Sequence, residues 1–264
     1  MKRFFLGIAG FPVAHSLSPT IHNRWLKKSG LYLAFQVPPS RLRAFIRRMR
    51  GSPLDGLNVT IPHKEKIIPL LDRLSPEASA IGAVNTVMRR KGRLLGDNTD
   101  WSGFRSSFVD RFGSLYRKNV VILGGGGAAR AIAYAVGREG AQAITIANRT
   151  VSHGRNLARH FAPLFPQTSF QAIPLKSRTL RPFLKMADCL INTTPVGQSG
   201  TAFAASPIQF LRKGTVVVDL VYNPPLTPLL REARKRGLPV MNGMAMLVAQ
   251  AALSFRLWTG REPS

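Results

Sequence analysis

The chain has 264 residues, enough for one large or two modest domains, and its 45% hydrophobic content excludes a disordered or fibrous protein. Its 38 Lys and Arg stand against 12 Asp and Glu, a field that attracts nucleic acid, anionic lipid, acidic substrates or phosphorylated cofactors. The single cysteine, Cys189, excludes an intrachain disulfide and a cysteine zinc site; within 187–191, apolar but for Asp188, it reads as a small buried strand residue.

Residues 4–8 read as a short buried strand and 19–28 as a helix capped by Ser18. Lys2 and Arg3 ahead of this apolar start have the outline of an export signal, which Gly10 and Pro12 interrupt. Ser40 is placed to cap a second helix, in which Leu42, Phe45, Ile46 and Met49 recur at helical spacing. Arg41, Arg43, Arg47, Arg48 and Arg50 crowd its other face. No aromatic residues interleave with them for base stacking, so the run reads as solvated surface rather than a specific nucleic-acid contact. Residues 58–61 continue the strand pattern, 65–74 read as a helix, and the turn-rich stretch 92–100 leads to a linker-like helix from about Trp101.

From Asn119 the pattern becomes a regular alternation. Strands at 120–123, 143–147, 189–192 and 216–220, with a helix over 128–138, imply a parallel sheet with helices on both faces. Residues 237–255 carry no charge, but Pro239, Asn242, Gly243, Gln250 and Ser254 are too polar for hydrocarbon. A closing helix over 244–257 of a soluble protein, with no membrane partner, is expected. There is no internal repeat and no low-complexity segment.

The strand at 120–123 runs straight into Gly124-Gly125-Gly126-Gly127-Ala128-Ala129, a G-x-G-x-x-A dinucleotide fingerprint with Gly124, Gly126 and Ala129 at the key places. The first glycine makes the tight turn and the second lets backbone approach a pyrophosphate. The small third residue allows close packing, and the helix start offers free amides to phosphate. A lone glycine cluster is also compatible with an empty loop; the strand–turn–helix context favours a cofactor. An NAD enzyme usually carries Asp or Glu about 20 residues on, to hold the ribose 2′-hydroxyl. Here stand Asn148, Arg149 and Thr150, and Arg149 offers a planar cation to a 2′-phosphate, so the expected cofactor is NADP. An exposed loop arginine is the plain alternative.

Four polar clusters in the first hundred residues have no use in a hydrophobic core. They are 10–19 with His15, Ser16 and Ser18; 58–64 with Asn58, Thr60 and Lys64; 82–86 with Asn85; and 98–100 with Asp100. Their hydroxyls, carboxamides, ammonium and carboxylate suit a small polyhydroxylated acid. His15 and His22 are seven residues apart, yet no Cys, Asp or Glu accompanies them at ligand spacing, so no metal is expected.

These clusters, in their order and spacing, resemble those of the shikimate dehydrogenase family. So do 192–197, Asp219 to Pro224 with Tyr222, and Gly243 followed by 246–250 with Gln250; the resemblance covers residues 4 to 260. It implies an α/β protein of two α/β domains with a cleft between them. One is a substrate-binding α/β sandwich over 1–101, completed by the C-terminal segment 238–264; the other is a Rossmann-like NADP-binding domain over 102–237. The implied activity is cytoplasmic, NADPH-dependent reduction of 3-dehydroshikimate to shikimate by a monomer or homodimer. A paralogue acting on quinate or a related hydroxy acid is the alternative.

Carried over by motif, the resemblance implies that Ser16 and Ser18 bind the substrate carboxylate with Tyr222 near it. Asn58, Thr60, Asn85 and Gln250 reach ring hydroxyls or their neighbours. Lys64 and Asp100 match the catalytic pair. Gly124, Gly125, Gly126, Gly127, Ala128, Ala129, Asn148, Arg149 and Thr150 match the NADP residues, with Gly243 by the nicotinamide. Where the family often has a further arginine stands His153, with Arg155 two residues on. The chemistry agrees: hydride transfer to a ketone leaves alkoxide character that needs a proton donor, and a buried ammonium needs a carboxylate to stay charged. Lys64 as a surface lysine and Asp100 as a helix cap are the plain alternatives.

Overall fold

The computed structural model describes residues 3–263, so Lys2 of the export-like run and Ser264 lie outside the described residues. Contacts divide the chain into two units, Met1–Gly103 with Leu247–Ser264, and Phe104–Met246. The first holds β1 (Phe4–Gly10), α1 (Ser18–Leu26), β2 (Gly30–Gln36), α2 (Leu42–Gly51), β3 (Gly56–Val59), β4 (Arg73–Leu74), α3 (Pro76–Ile81), β5 (Thr86–Arg90) and β6 (Arg93–Asp97). The boundary falls within α4 (Asp100–Phe112).

The second unit holds β7 (Asn119–Leu123), α5 (Gly127–Arg138), β8 (Ala143–Asn148), α6 (Val151–Phe161), β9 (Ser169–Pro174), α7 (Ser177–Met186), β10 (Cys189–Asn192), β11 (Val196–Ser199), β12 (Val216–Asp219), α8 (Pro228–Lys235) and β13 (Val240–Asn242). The return to the first unit falls within α9 (Met244–Thr259).

The first sheet has the order β2-β1-β3-β5-β6-β4. β1 lies parallel to both β2 and β3, whereas β5 is antiparallel to β3 and β6. Because the chain leaves β1 to build one neighbour and later returns to build the other, the loops after β1 and β3 part and leave room between them. The second sheet, β13-β12-β10-β7-β8-β9, is parallel throughout and repeats this geometry with β7 and β10 as the central neighbours. Its inner strands read as unbroken apolar runs because helices cover both faces. β10 is wholly buried, Cys189 included, and burial pushes that thiol's pKa up.

Four local expectations change. Residues 65–74 form no α-helix, because Pro69 has no amide to donate in a helical ladder. The Leu70 and Leu71 amides instead reach back three residues to Ile67 and Ile68, and the Asp72 amide bonds Leu94, turning the chain into β4. Ser18 caps nothing: it is the first residue of α1, its amide donates to Ser16 Oγ, and its side chain is buried beside Tyr32. Ser40 lies inside a 3₁₀ turn, Pro39–Arg41, and makes no cap bond. Within 238–264, Leu238 and Val240 join the second core and β13 extends the second sheet; 247–264 belong to the first unit.

Arg43, Arg47 and Arg48 of α2 face solvent, Arg50 is half-buried on Asp72 and the Leu70 carbonyl, and Leu42, Ile46 and Met49 are buried. Among the described residues, no helix is long and apolar enough to cross a membrane.

Trp258 is one of the side chains that fasten the C-terminal helix to the first sheet. Trp258 is 4% exposed, its Nε1 donates to the Val87 carbonyl at 2.9 Å, and its ring lies where any side chain at Gly56 would collide. Trp258→Ala is therefore expected to cost about 3–5 kcal/mol. Urea denaturation followed by circular dichroism reads this as a lower midpoint; an unchanged midpoint would show that the Trp258 contact adds no stability.

Candidate active site

Lys64 sits in the turn after β3, and Asp100 opens α4, with Asn98 Oδ1 accepting the Asp100 amide. Lys64 Nζ donates to Asp100 Oδ2 at 2.6 Å, with 14% and 7% of the two side chains exposed. The other carboxylate oxygen accepts from Asn85 Nδ2 at 2.9 Å. Both oxygens are thus engaged by side chains.

Asn85 is 2% exposed and sits at the centre of the cluster. Its Nδ2 also lies 2.9 Å from Thr99 Oγ1 and 3.2 Å from Gln250 Oε1, while its Oδ1 accepts the Thr99 amide and the Thr86 hydroxyl. Asn58 is turned inward: Tyr32 donates its hydroxyl to Asn58 Oδ1 at 2.7 Å, and Asn58 Nδ2 donates to the Asn85 carbonyl. The Thr60 hydroxyl makes no hydrogen bond among the described residues and is half-buried beside Gly10. Ser16 Oγ accepts the Ser18 amide, and Ser18 reaches the Tyr32 hydroxyl, whose pKa burial pushes up. A continuous polar path therefore joins Ser16, Ser18, Tyr32, Asn58, Asn85, Asp100 and Lys64 at the ends of β1 and β3.

Tyr32 and Ser254 lay outside the sequence-derived site, whereas Thr86 and Thr99 lay inside the clusters 82–86 and 98–100 with no role assigned. The Ser254 hydroxyl lies within hydrogen-bonding distance of Asn58, Thr86 and Thr99. Its spacing four residues after Gln250 was a readable signal, since i and i+4 share a helix face.

His22 lies elsewhere in chemical terms. It is fully buried, stacked on Tyr32 at 4.3 Å between ring centroids, and among the described residues neither ring nitrogen has a partner. Burial lowers its pKa to about 3, which makes it a neutral core residue, while His15 is exposed.

In the second unit, β7 ends in a turn shaped for glycine. Gly124 has φ 115°, and a side chain there would strike Thr193, whose hydroxyl and amide both bond the Leu123 carbonyl. Around Gly126 there is open space, and α5 starts at Gly127 with no side-chain cap. Its first amides are left for a ligand, the arrangement that takes phosphate. Ala129 is fully buried, as the close packing of helix on strand requires.

Asn148, at the end of β8, lies against Gly125 and donates to the Thr150 carbonyl; Arg149 and Thr150 are exposed. His153 and Arg155 are exposed on α6. These residues fit a phosphorylated dinucleotide: a glycine cradle, open amides and an exposed guanidinium beside them.

Tyr222 and Gly243 also belong to the second unit. The segment carrying Tyr222 is held by Asp219, whose carboxylate accepts from Asn192, Thr227 and the Val221 amide; burial raises its pKa. Gly243 is buried so tightly against the Leu220 backbone that no side chain fits.

Three family models match the chain: the shikimate dehydrogenase substrate binding domain over residues 8–87, shikimate / quinate 5-dehydrogenase over 108–220, and the shikimate 5′-dehydrogenase C-terminal domain over 243–264. A shikimate dehydrogenase (NADP(+)) of Geobacter metallireducens is 44% identical over 266 residues, covering 99% of this chain and 93% of its own. A solved shikimate dehydrogenase in complex with NADP+ is similar at TM-score 0.91 and 37% identity, covering 99% of this chain and 92% of its own. A quinate dehydrogenase of Corynebacterium glutamicum in complex with NAD is similar at TM-score 0.89 and 30% identity, covering 100% and 96%.

Proposed function

The chain belongs to the shikimate dehydrogenase family, and from that premise we propose that it reduces 3-dehydroshikimate to shikimate with Lys64 and Asp100 handling the proton. It is an NADP-dependent oxidoreductase acting reversibly on a small hydroxy acid of the shikimate pathway. The observation that carries the proton assignment is the shielded Lys64–Asp100 pair set among carboxamides and hydroxyls.

NADPH, when bound, supplies the hydride. As the substrate ketone oxygen takes on negative charge, the Lys64 ammonium donates a proton to it; in the oxidative direction the same nitrogen accepts one. Asp100 holds that ammonium in place through one oxygen while Asn85 holds the other. Ser16 and Ser18 bind the substrate carboxylate, Thr60 and Gln250 address ring hydroxyls, and Asn85, its carboxamide engaged by Asp100, Thr99, Thr86 and Gln250, holds the groups around them. Asn58 supports them, because its carboxamide is already engaged by Tyr32 and the Asn85 backbone. Gly124 to Ala129 would hold the pyrophosphate, and Asn148, Arg149 and Thr150 the 2′-phosphate. The motif match assigns Tyr222 to substrate and Gly243 to the nicotinamide.

A spectrophotometric assay crossing shikimate or quinate with NADP or NAD tests the reading. Shikimate with NADP is expected to be the best pair; preference for quinate, or no turnover with any pair, would sink it.

Arg149→Ala should raise KM for NADP while leaving NAD nearly untouched. Charge-assisted hydrogen bonds are worth roughly 1.5–3 kcal/mol, so NADP efficiency should fall about tenfold to a hundredfold. Equal losses with both cofactors would assign Arg149 to loop shape.

Lys64→Ala should lower turnover by about 10²–10⁴-fold and weaken shikimate binding far less. Asp100→Asn should also cost rate, and the double variant should be little worse than the poorer single one, since residues acting as one unit are non-additive. Stopped-flow hydride transfer measures the rates and fluorescence the binding. Fully multiplicative losses would separate the two roles; unchanged turnover in Lys64→Ala would remove it from the chemistry.

A further inference from the structure

The residues assigned to substrate and cofactor leave most of the positive charge without a use. One concentration of it lines a cavity of about 840 Å³ in the first unit, formed by Arg73, Arg89, Arg90, Lys91 and Arg93, with Asp55 its one carboxylate. The strand registers explain the convergence. β5 and β6 form a hairpin whose turn residues, Lys91 and Gly92, have φ of 49° and 76°, and Arg90 pairs directly with Arg93. β4 sets Arg73 opposite Leu95, two residues after Arg93 and on the same face of the sheet.

Like charges facing each other across a ladder destabilise a hairpin. Asp55 lies 4.0 Å from Arg89, whose Nε already donates to the Leu54 carbonyl, and Arg90 donates to the Leu257 carbonyl. Arg93 is within electrostatic reach of Asp72, a carboxylate already bonded by Arg50 and the Leu94 amide. The exposed side chains of Arg73 and Lys91 make no hydrogen bond or ion pair with any described residue. This hairpin turn lies at the end of β5 opposite Thr86 and Asn85, away from the Lys64 cluster.

We propose that this cavity binds a compact oligophosphate, a chain of linked phosphates carrying several negative charges. Its volume is that of a small-molecule site rather than a single-ion site. A lone carboxylate or orthophosphate would leave most of the cations unmatched. Linked phosphates present many oxygens at close spacing, and guanidinium forks bind such oxygens in pairs.

Isothermal titration of the full chain at low salt, with inorganic tripolyphosphate and separately with ATP, tests the proposal. The informative variant is Arg73→Ser with Arg93→Ser. The reference is Arg149→Ser with Arg155→Ser, which removes equal charge from the cofactor turn. The cavity variant should lose about tenfold or more in tripolyphosphate affinity, as lost charge-assisted bonds require, while the reference keeps the site. Tighter binding of ATP than of tripolyphosphate would identify a nucleotide as the source of the phosphates; equal binding would identify the phosphate chain alone. Equal weakening in both variants would show only a diffuse field, and absence of saturable binding would leave no site; either result overturns the proposal. Circular dichroism of the cavity variant establishes that its fold is intact.

Discussion

The Asn85 carboxamide is sealed from water, and each of its polar atoms must find a partner inside the protein. An unsatisfied buried polar group costs about 1–3 kcal/mol, and more when a charge depends on it. Asn85 resolves this by bonding Asp100, Thr99, Thr86 and Gln250 at once. The Lys64 ammonium is held only because Asp100 is held, and Asp100 is held partly by Asn85. Such networks polarise and stiffen one another, so the geometry of the ammonium is set by groups that never touch it. Tyr32, buried against His22 and Trp258, is the far end of that support.

A second constraint places the network where it is. Both sheets have a strand whose two parallel neighbours are built on opposite sides, and the loops leaving such strands diverge. In the first sheet this opens the ends of β1 and β3, where Ser16, Ser18, Thr60 and Lys64 stand. In the second it opens the ends of β7 and β10, where Gly124 meets Thr193. The polar groups there can stay unpaired with backbone because the strands have ended. Asn192 and Asp219, paired in register on β10 and β12, perform the matching structural task in the second unit.

The buried titratable groups divide by the same logic. His22 and Asp219 are both deep, and burial shifts each toward its neutral form. Asp219 is nevertheless surrounded by donors, which fits a brace between strand ends. His22 packs among the rings of Trp25, Tyr32, Phe255 and Trp258, which fits a packing role. Neither contacts Lys64, whose surroundings combine a carboxylate with partial access to solvent.

Much of this was legible along the chain, because the responsible interactions are local. The turn Gly124 to Ala129 follows a strand and starts a helix, and backbone sterics alone demand glycine at φ 115°. The apolar runs of β7 and β10 need only the alternation with helices to be read as parallel strands. Where local signals compete, the sequence was silent or misleading. Pro69 outweighed a helical periodicity over 65–74, and the edge strand β2 exposes Leu31 and Leu33 in a pattern that resembles a buried face. That Asn58 turns away from solvent toward Tyr32, and that Ser254 meets it from 196 residues away, has no local signature. The first contact exists because β2 and β3 flank β1 in one sheet, and the second because the chain's last helix returns to that sheet; only the closed fold brings their hydrogen-bonding atoms within reach.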